Sequence, residues 1–225
     1  MTPHVLTAAA DLLRQHYGPI RSEGPAAEWN TLVRLVLEHG RPAKRIRDWS
    51  WLDDSPLRTA PETLATGVHW LAEILEVNHQ KPKLAPPLTG CAKWWQQHFG
   101  AADTPADFAH RSIESWQTEL RAIAGVNWEL ADRILLVVGR QTVYPLNRGS
   151  LRIAARHGWV EASADYDEWQ SFFTAAARGG NVSLLELADW NARVGHDYCR
   201  SEPHCDECPL KSLLPAHGPV PLEAE

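Results

Sequence analysis

At 225 residues, with 44% hydrophobic and 22% charged side chains, the chain is long enough to bury a core without disulfide or metal staples and too apolar to be disordered. Its formal net charge of -6 excludes a protein that is basic throughout and leaves any attraction for a polyanion to local patches. The opening stretch, MTPHVLTAAADLLRQHYG, has no basic leader and is interrupted by Asp11 and Arg14, and no apolar run reaches membrane-spanning length, so a cytoplasmic protein without a membrane segment is expected.

Apolar residues recur at three- and four-residue steps along the chain: Val5, Leu12 and Leu13; Leu32, Leu35 and Val36; Leu64, Val68, Leu71, Ile74 and Leu75; Leu130, Ile134, Leu135 and Val138. This pattern predicts an all-α protein of about ten short helices. Breaks fall at YGPIRSEGP, DDSPLRTAPET, KPKLAPPLTG, GAADTPADF, ARGGN and RSEPH, where Pro and Gly stop one helix and release the next. QTVYPL is the one extended candidate, and Pro145 makes it a connecting segment. The end, AHGPVPLEAE, reads as a loose tail. Eleven tryptophans are read mainly as packing between helices, with room for one or two to line a base-sized slot.

The most informative stretch runs from Leu120 to Val138. One helix ends near Ile123, AGVN turns the chain, and a second helix begins near Glu129, with Ala131 and Ile134 facing back. Gly125 suits a left-handed or close-approach position, and Asn127 is the next best residue for a positive φ. Arg121, Arg133, Arg140, Arg148, Arg152 and Arg156 stand against Glu129 and Asp132, a basic window in an acidic protein. Asp132 is expected at the surface, paired with Arg133 or Arg121. Asn147 is well placed to cap the helix RGSLRIAARHG. Near the end, YCRSEPHCDECPL crowds Cys199, Cys205 and Cys208 at a spacing that suits a metal better than a disulfide, while Cys91 in GCAKWW reads as a small buried residue.

These features in this order resemble the endonuclease III superfamily of helix-hairpin-helix DNA glycosylases. EWNTLVRLVLEHGRPAKRI resembles its early helix and DNA-facing loop, IAGVNWELA its hairpin, and PLNRGSLRIAARHGW the segment that carries the catalytic aspartate. DYDEWQSFF and LADWNARVGHDYCRSEPHCDECPL are most similar to the branch related to 3-methyladenine DNA glycosylase III. The resemblance implies a two-lobed all-α fold with a helix-hairpin-helix motif and an iron-sulfur-type loop. Residues 25–141 would form a six-helix barrel domain, and residues 1–24 plus 142–225 a second helical domain. It implies a monomer that binds double-stranded DNA, with the turn of Gly125, Val126 and Asn127 offering main-chain amides to phosphate and with Arg148 and Arg41 nearby.

The same resemblance implies a base-excision glycosylase, which flips a damaged base into a pocket between its lobes and steadies the developing oxocarbenium ion with a carboxylate. Here three expected residues differ. The aspartate position is Asn147, and loss of that charge would cost roughly a thousandfold or more in rate. The lysine of the strand-cleaving members is Glu129, which excludes Schiff-base chemistry from that position and leaves Glu129 either as a carboxylate for the pocket or as a charge favoured by the helix dipole. The residue that fills the gap of the flipped base falls near Gly40, which has nothing to insert. For the loop, Cys199, Cys205 and Cys208 match three of the four thiolates of a 4Fe-4S cluster, and the fourth place is Leu214. A three-thiolate cluster completed by His204, Asp206 or His217, a zinc ion, and a metal-free loop all stay open. So do three functions: a monofunctional N-glycosylase using Asn147 or Glu129, a non-catalytic module that recognises distorted DNA, and a helical scaffold.

Overall fold

The computed structural model describes residues 2–19, 28–39, 48–102, 108–179 and 182–222. Among them are ten α-helices: α1 (Thr2–Tyr17), α2 (Trp29–Glu38), α3 (Ala60–Thr66), α4 (Val68–Val77), α5 (Ala85–Phe99), α6 (Ile113–Arg121), α7 (Trp128–Val137), α8 (Arg148–Arg156), α9 (Tyr166–Thr174) and α10 (Leu184–Asp197). No strand occurs among the described residues, and QTVYPL is an irregular connection from α7 to α8. No helix is long and apolar enough to cross a membrane.

Helix starts follow their side-chain chemistry. Thr59, Ser112, Asn127, Asn147 and Ser183 each accept a hydrogen bond from a first-turn amide, and Asp165 with Glu168 closes a reciprocal capping box. The chain divides into two compact units, Glu23–Gln141 and Met1–Ser22 with Thr142–Glu225.

The unit of 23–141 holds α2 to α7. Its core is aromatic: Trp29 meets Trp95 edge to face at 5.6 Å, and Trp94, Phe99, Phe108 and Trp116 form a second cluster. The indoles of Trp29, Trp95 and Trp116 donate to the carbonyls of Leu57, Ala102 and Phe108, so these rings bury their apolar bodies without stranding their N–H groups. Cys91 is fully buried on α5.

In the other unit, α8 and α10 cross with their backbones in contact. A Cβ on Gly149 would lie 2.4 Å from the Asn191 carbonyl oxygen, and one on Gly195 would lie 2.5 Å from Gly149 Cα. Beside this crossing, the Tyr144 ring stacks on Phe173 at 4.5 Å, its hydroxyl lies 2.7 Å from Ser150 Oγ, and Asn191 Nδ2 donates to it at 3.0 Å. Trp190 on α10 donates to the Gly18 carbonyl just beyond α1. The expected loose tail is docked as far as it is described: the Val220 amide donates to the Arg156 carbonyl at 2.8 Å.

Candidate functional site

The hairpin is built as a rigid turn seated on α5. Gly125 has φ +87°, and a Cβ there would lie 3.2 Å from Pro87 Cγ, so both the backbone conformation and the close approach require glycine. Val126 anchors the turn, its side chain buried and its amide donating to the Ile123 carbonyl at 3.0 Å. That amide is therefore engaged within the turn. Asn127 is not left-handed as expected: its backbone is extended at φ -93°, and its Oδ1 accepts from the Leu130 amide at 3.0 Å. A helix cap of this kind satisfies asparagine better than a positive φ.

The amides of Gly125 and Asn127, both exposed residues, have no acceptor among the described residues. Two such donors at the start of a helix suit one anionic oxygen group. Next to them the guanidinium of Arg121 lies 3.2 Å from the ring centroid of Trp128, which is 40% exposed. Glu129 is in the first turn of α7, where the helix dipole favours a carboxylate, and its Oε1 lies 4.0 Å from Arg133. Asp132 is fully buried and accepts from Gln117 Nε2 at 2.7 Å, which corrects its expected place at the surface. His39, at the end of α2, is held below the usual histidine range by burial first and then by Arg133 and Lys81.

Asn147, the residue expected at the carboxylate position, lies in the other unit. It is 7% exposed, and both ends of its side-chain amide are engaged: Oδ1 accepts from the Ser150 amide at 2.9 Å and Nδ2 donates to the Ala188 carbonyl at 3.0 Å. One atom caps α8 and the other ties it to α10. An amide is the side chain that fits a donor site and an acceptor site at once. Arg148, the first residue of α8, is exposed. Arg41, with Gly40, Lys44 and Arg45, lies outside the described residues.

Cys199, Cys205 and Cys208 do share a site: with Arg156, His204 and Leu214 they line one small hollow that is partly open to solvent. Leu214, expected at the place of a fourth thiolate, offers no lone pair. Among the described residues no group of three or more His, Cys, Asp or Glu could hold a metal ion. The residues present therefore do not supply the four-thiolate set that the resemblance implies. What the loop does have is Arg156, 6% exposed, whose NH1 donates to Cys199 Sγ at 3.3 Å and to the Arg200 carbonyl at 2.5 Å while NH2 donates to Ser201 at 2.8 Å. Burial pushes the Cys208 thiol up to about 11 and raises that of Cys205, with the neighbouring thiols adding to both.

Sequence reasoning missed the Arg121–Trp128 stack and the Arg156 bonds. The (i, i+7) spacing across a turn carries no periodic signal, and the carbonyls that Arg156 meets are main-chain groups. The tie from Asn147 to Ala188 spans 41 residues and had no sequence signal.

No family model and no curated protein sequence matches the chain. Among solved structures it is similar to a trapped endonuclease III–DNA covalent intermediate in an estranged-adenine complex, with a TM-score of 0.59 and 14% identity over 95% of each chain. It is likewise similar to a thermostable thymine-DNA glycosylase, with a TM-score of 0.63 and 11% identity over 93% of this chain and 95% of that one. Two independent likenesses over nearly the whole length, at identities too low to carry chemistry, speak for architecture. The chain has the all-helical fold of these DNA glycosylases.

Proposed function

We propose that the protein binds double-stranded DNA through the hairpin of α6 and α7 and recognises distorted duplex without hydrolysing the glycosidic bond. The observation that carries this reading is the engagement of Asn147. A catalytic group at this position needs an atom directed at the sugar and a negative charge, and here the side chain is neutral with both polar atoms spent on Ser150 and Ala188. The amides of Gly125 and Asn127 support phosphate contact, and the exposed Arg148 adds a charge at the start of α8. In this reading the cysteine loop is a metal-free remnant tied by Arg156.

Glu129 is the carboxylate on which a monofunctional glycosylase would have to rely, and its neighbour Arg133 offsets its charge. A panel of lesion-bearing duplexes distinguishes the two. The proposal expects salt-dependent binding with no free base and no alkali-labile site, and base release that disappears in Glu129→Gln would establish the glycosylase instead. Strand cleavage is not expected in either case, because no lysine stands at the Glu129 position.

A further inference from the structure

The three thiols of the cysteine loop are not equivalent. Cys199 is buried, its main-chain amide donates to the Val194 carbonyl at 2.7 Å, and its Sγ accepts from Arg156 NH1 at 3.3 Å. Arg156 is itself fixed at the carbonyls of Arg200 and Ser201, so the Cys199 sulfur is held from the end of α8. Cys205 and Cys208 are half-buried free thiols on a hollow partly open to solvent, within reach of a small molecule. The Cys208 amide donates to the Cys205 carbonyl at 3.2 Å and closes a short 3-10 turn over Cys205–Glu207. A four-residue turn closed in this way keeps its end Cα atoms within about 7 Å, and a disulfide spans about 4.4–6.8 Å between Cα atoms. Both side chains border the same hollow, so they leave the turn on one side. Two cysteines this close and facing one way can be joined without moving the rest of the loop.

We infer that Cys205 and Cys208 form a redox-active dithiol, which closes to a disulfide by exchange with a low-molecular-weight disulfide. The inference rests on the proposed metal-free state of the loop, because a bound ion or cluster would occupy both sulfurs. In the first step one of the two cysteines gives up its thiol proton and attacks a sulfur of the small disulfide. The small S–S bond breaks, a mixed disulfide forms, and one small thiol leaves with the proton. In the second step the other cysteine loses its proton and attacks the protein-side sulfur of the mixed disulfide. The Cys205–Cys208 bond forms and the second small thiol leaves with that proton. Two electrons pass from the protein to the small disulfide, and an excess of the small thiol reverses both steps. Cys199 stays a thiol, because pairing it would give up the bond from Arg156. The bonds from Arg156 to the Arg200 and Ser201 carbonyls are untouched by closure, so the loop keeps its fold in both states.

The test counts thiols in the full-length protein. Metal analysis comes first: iron or zinc bound in proportion to protein, and released when Cys205 and Cys208 are alkylated, would overturn the metal-free loop and the dithiol with it. The protein is then equilibrated with oxidised glutathione at mildly alkaline pH, because burial raises both thiols and slows exchange near neutrality. The four free thiols should fall to two, with peptide mapping by mass spectrometry locating a Cys205–Cys208 link, and excess reduced glutathione should restore all four. Cys208→Ser should stop at a stable mixed disulfide of Cys205 with one glutathione, and Cys199→Ser should leave the Cys205–Cys208 link in place. A thiol count that stays at four, glutathione adducts in the parent protein that never resolve, or a link to Cys199 would overturn the dithiol while the metal-free loop still stands.

Discussion

Asn147→Asp, which introduces a carboxylate at the start of α8, is predicted to weaken the protein and not to produce an enzyme. The substitution keeps an acceptor for the Ser150 amide, so the α8 cap survives and gains about 0.5–1 kcal/mol from a negative charge at the helix start. The other oxygen replaces an N–H donor 3.0 Å from the Ala188 carbonyl, in a site where the side chain is 7% exposed. Leaving that carbonyl unpaired costs about 1–3 kcal/mol, and the repulsion and desolvation of a buried charge add to it. The net loss is about 2 kcal/mol, or about 4–8 °C in Tm for a chain of this size. Asn147→Ser keeps the cap and loses only the tie, so it should fall about 1 kcal/mol below the parent. The sign of the pH dependence follows from the same contact. Facing a carbonyl, the introduced carboxyl has a folded pKa above its unfolded one, so its deficit is full at neutral pH and shrinks on acidification as the protonated oxygen donates to Ala188. Thermal melts from neutral to mildly acidic pH, together with base release from the lesion panel, check both halves. An Asn147→Asp protein as stable as the parent at neutral pH, or one that releases base, would refute the argument.

Three other outcomes follow from single contacts. Gly125→Ala places a side chain at φ +87° with its Cβ 3.2 Å from Pro87, and should cost about 1–2 kcal/mol in urea unfolding while reducing the salt slope of DNA binding. On Glu119, burial is the largest influence and pushes the carboxyl up, but the Arg111 hydrogen bond and His98 outweigh it and hold it below the usual range. The stability it contributes is complete above the unfolded carboxyl's pKa and lost as pH falls through the folded one, so Glu119→Gln should be less stable than the parent at pH 7 and equal to it in acid. In the cysteine loop, prolonged chelation should leave hydrogen-exchange protection of 199–208 in place, and Arg156→Met should remove it at a cost of about 2–4 kcal/mol, because two carbonyls lose their donors. Protection lost on chelation, with iron and sulfide released in proportion, would show instead that a cluster holds the loop.

The helical architecture was legible because it depends on short-range signals. Three- and four-residue apolar steps place Leu32, Val36, Leu71, Leu75, Ile134 and Leu135 in the core, and Asn147 marks the start of α8 by a bond to an amide three residues on. Gly125 was legible for the same reason, since a positive φ is a property of one residue. Asp132 was misplaced because a charge on a helix next to arginines is normally solvated, and only the fold shows Gln117 delivering a donor to it in the core.

The local and distant parts of the design meet at Asn147. A cap requires an acceptor, and Asp, Ser, Thr and Asn all provide one, so the α8 start alone leaves the residue type open. The requirement for a donor comes from α10, whose backbone lies against α8 because Gly149 and Gly195 allow it. At that distance the Ala188 carbonyl has no room for a bridging group and takes its hydrogen directly from Nδ2. Among the capping residues asparagine alone accepts at one atom and donates at a second that reaches a neighbouring helix. Weakening the tie should therefore relax the demand for asparagine. If Gly195→Ala moves α10 away from Gly149, the added penalty of Asn147→Asp should fall in the double variant, and a double-mutant cycle with no coupling between the two positions would separate the capping amide from the helix crossing.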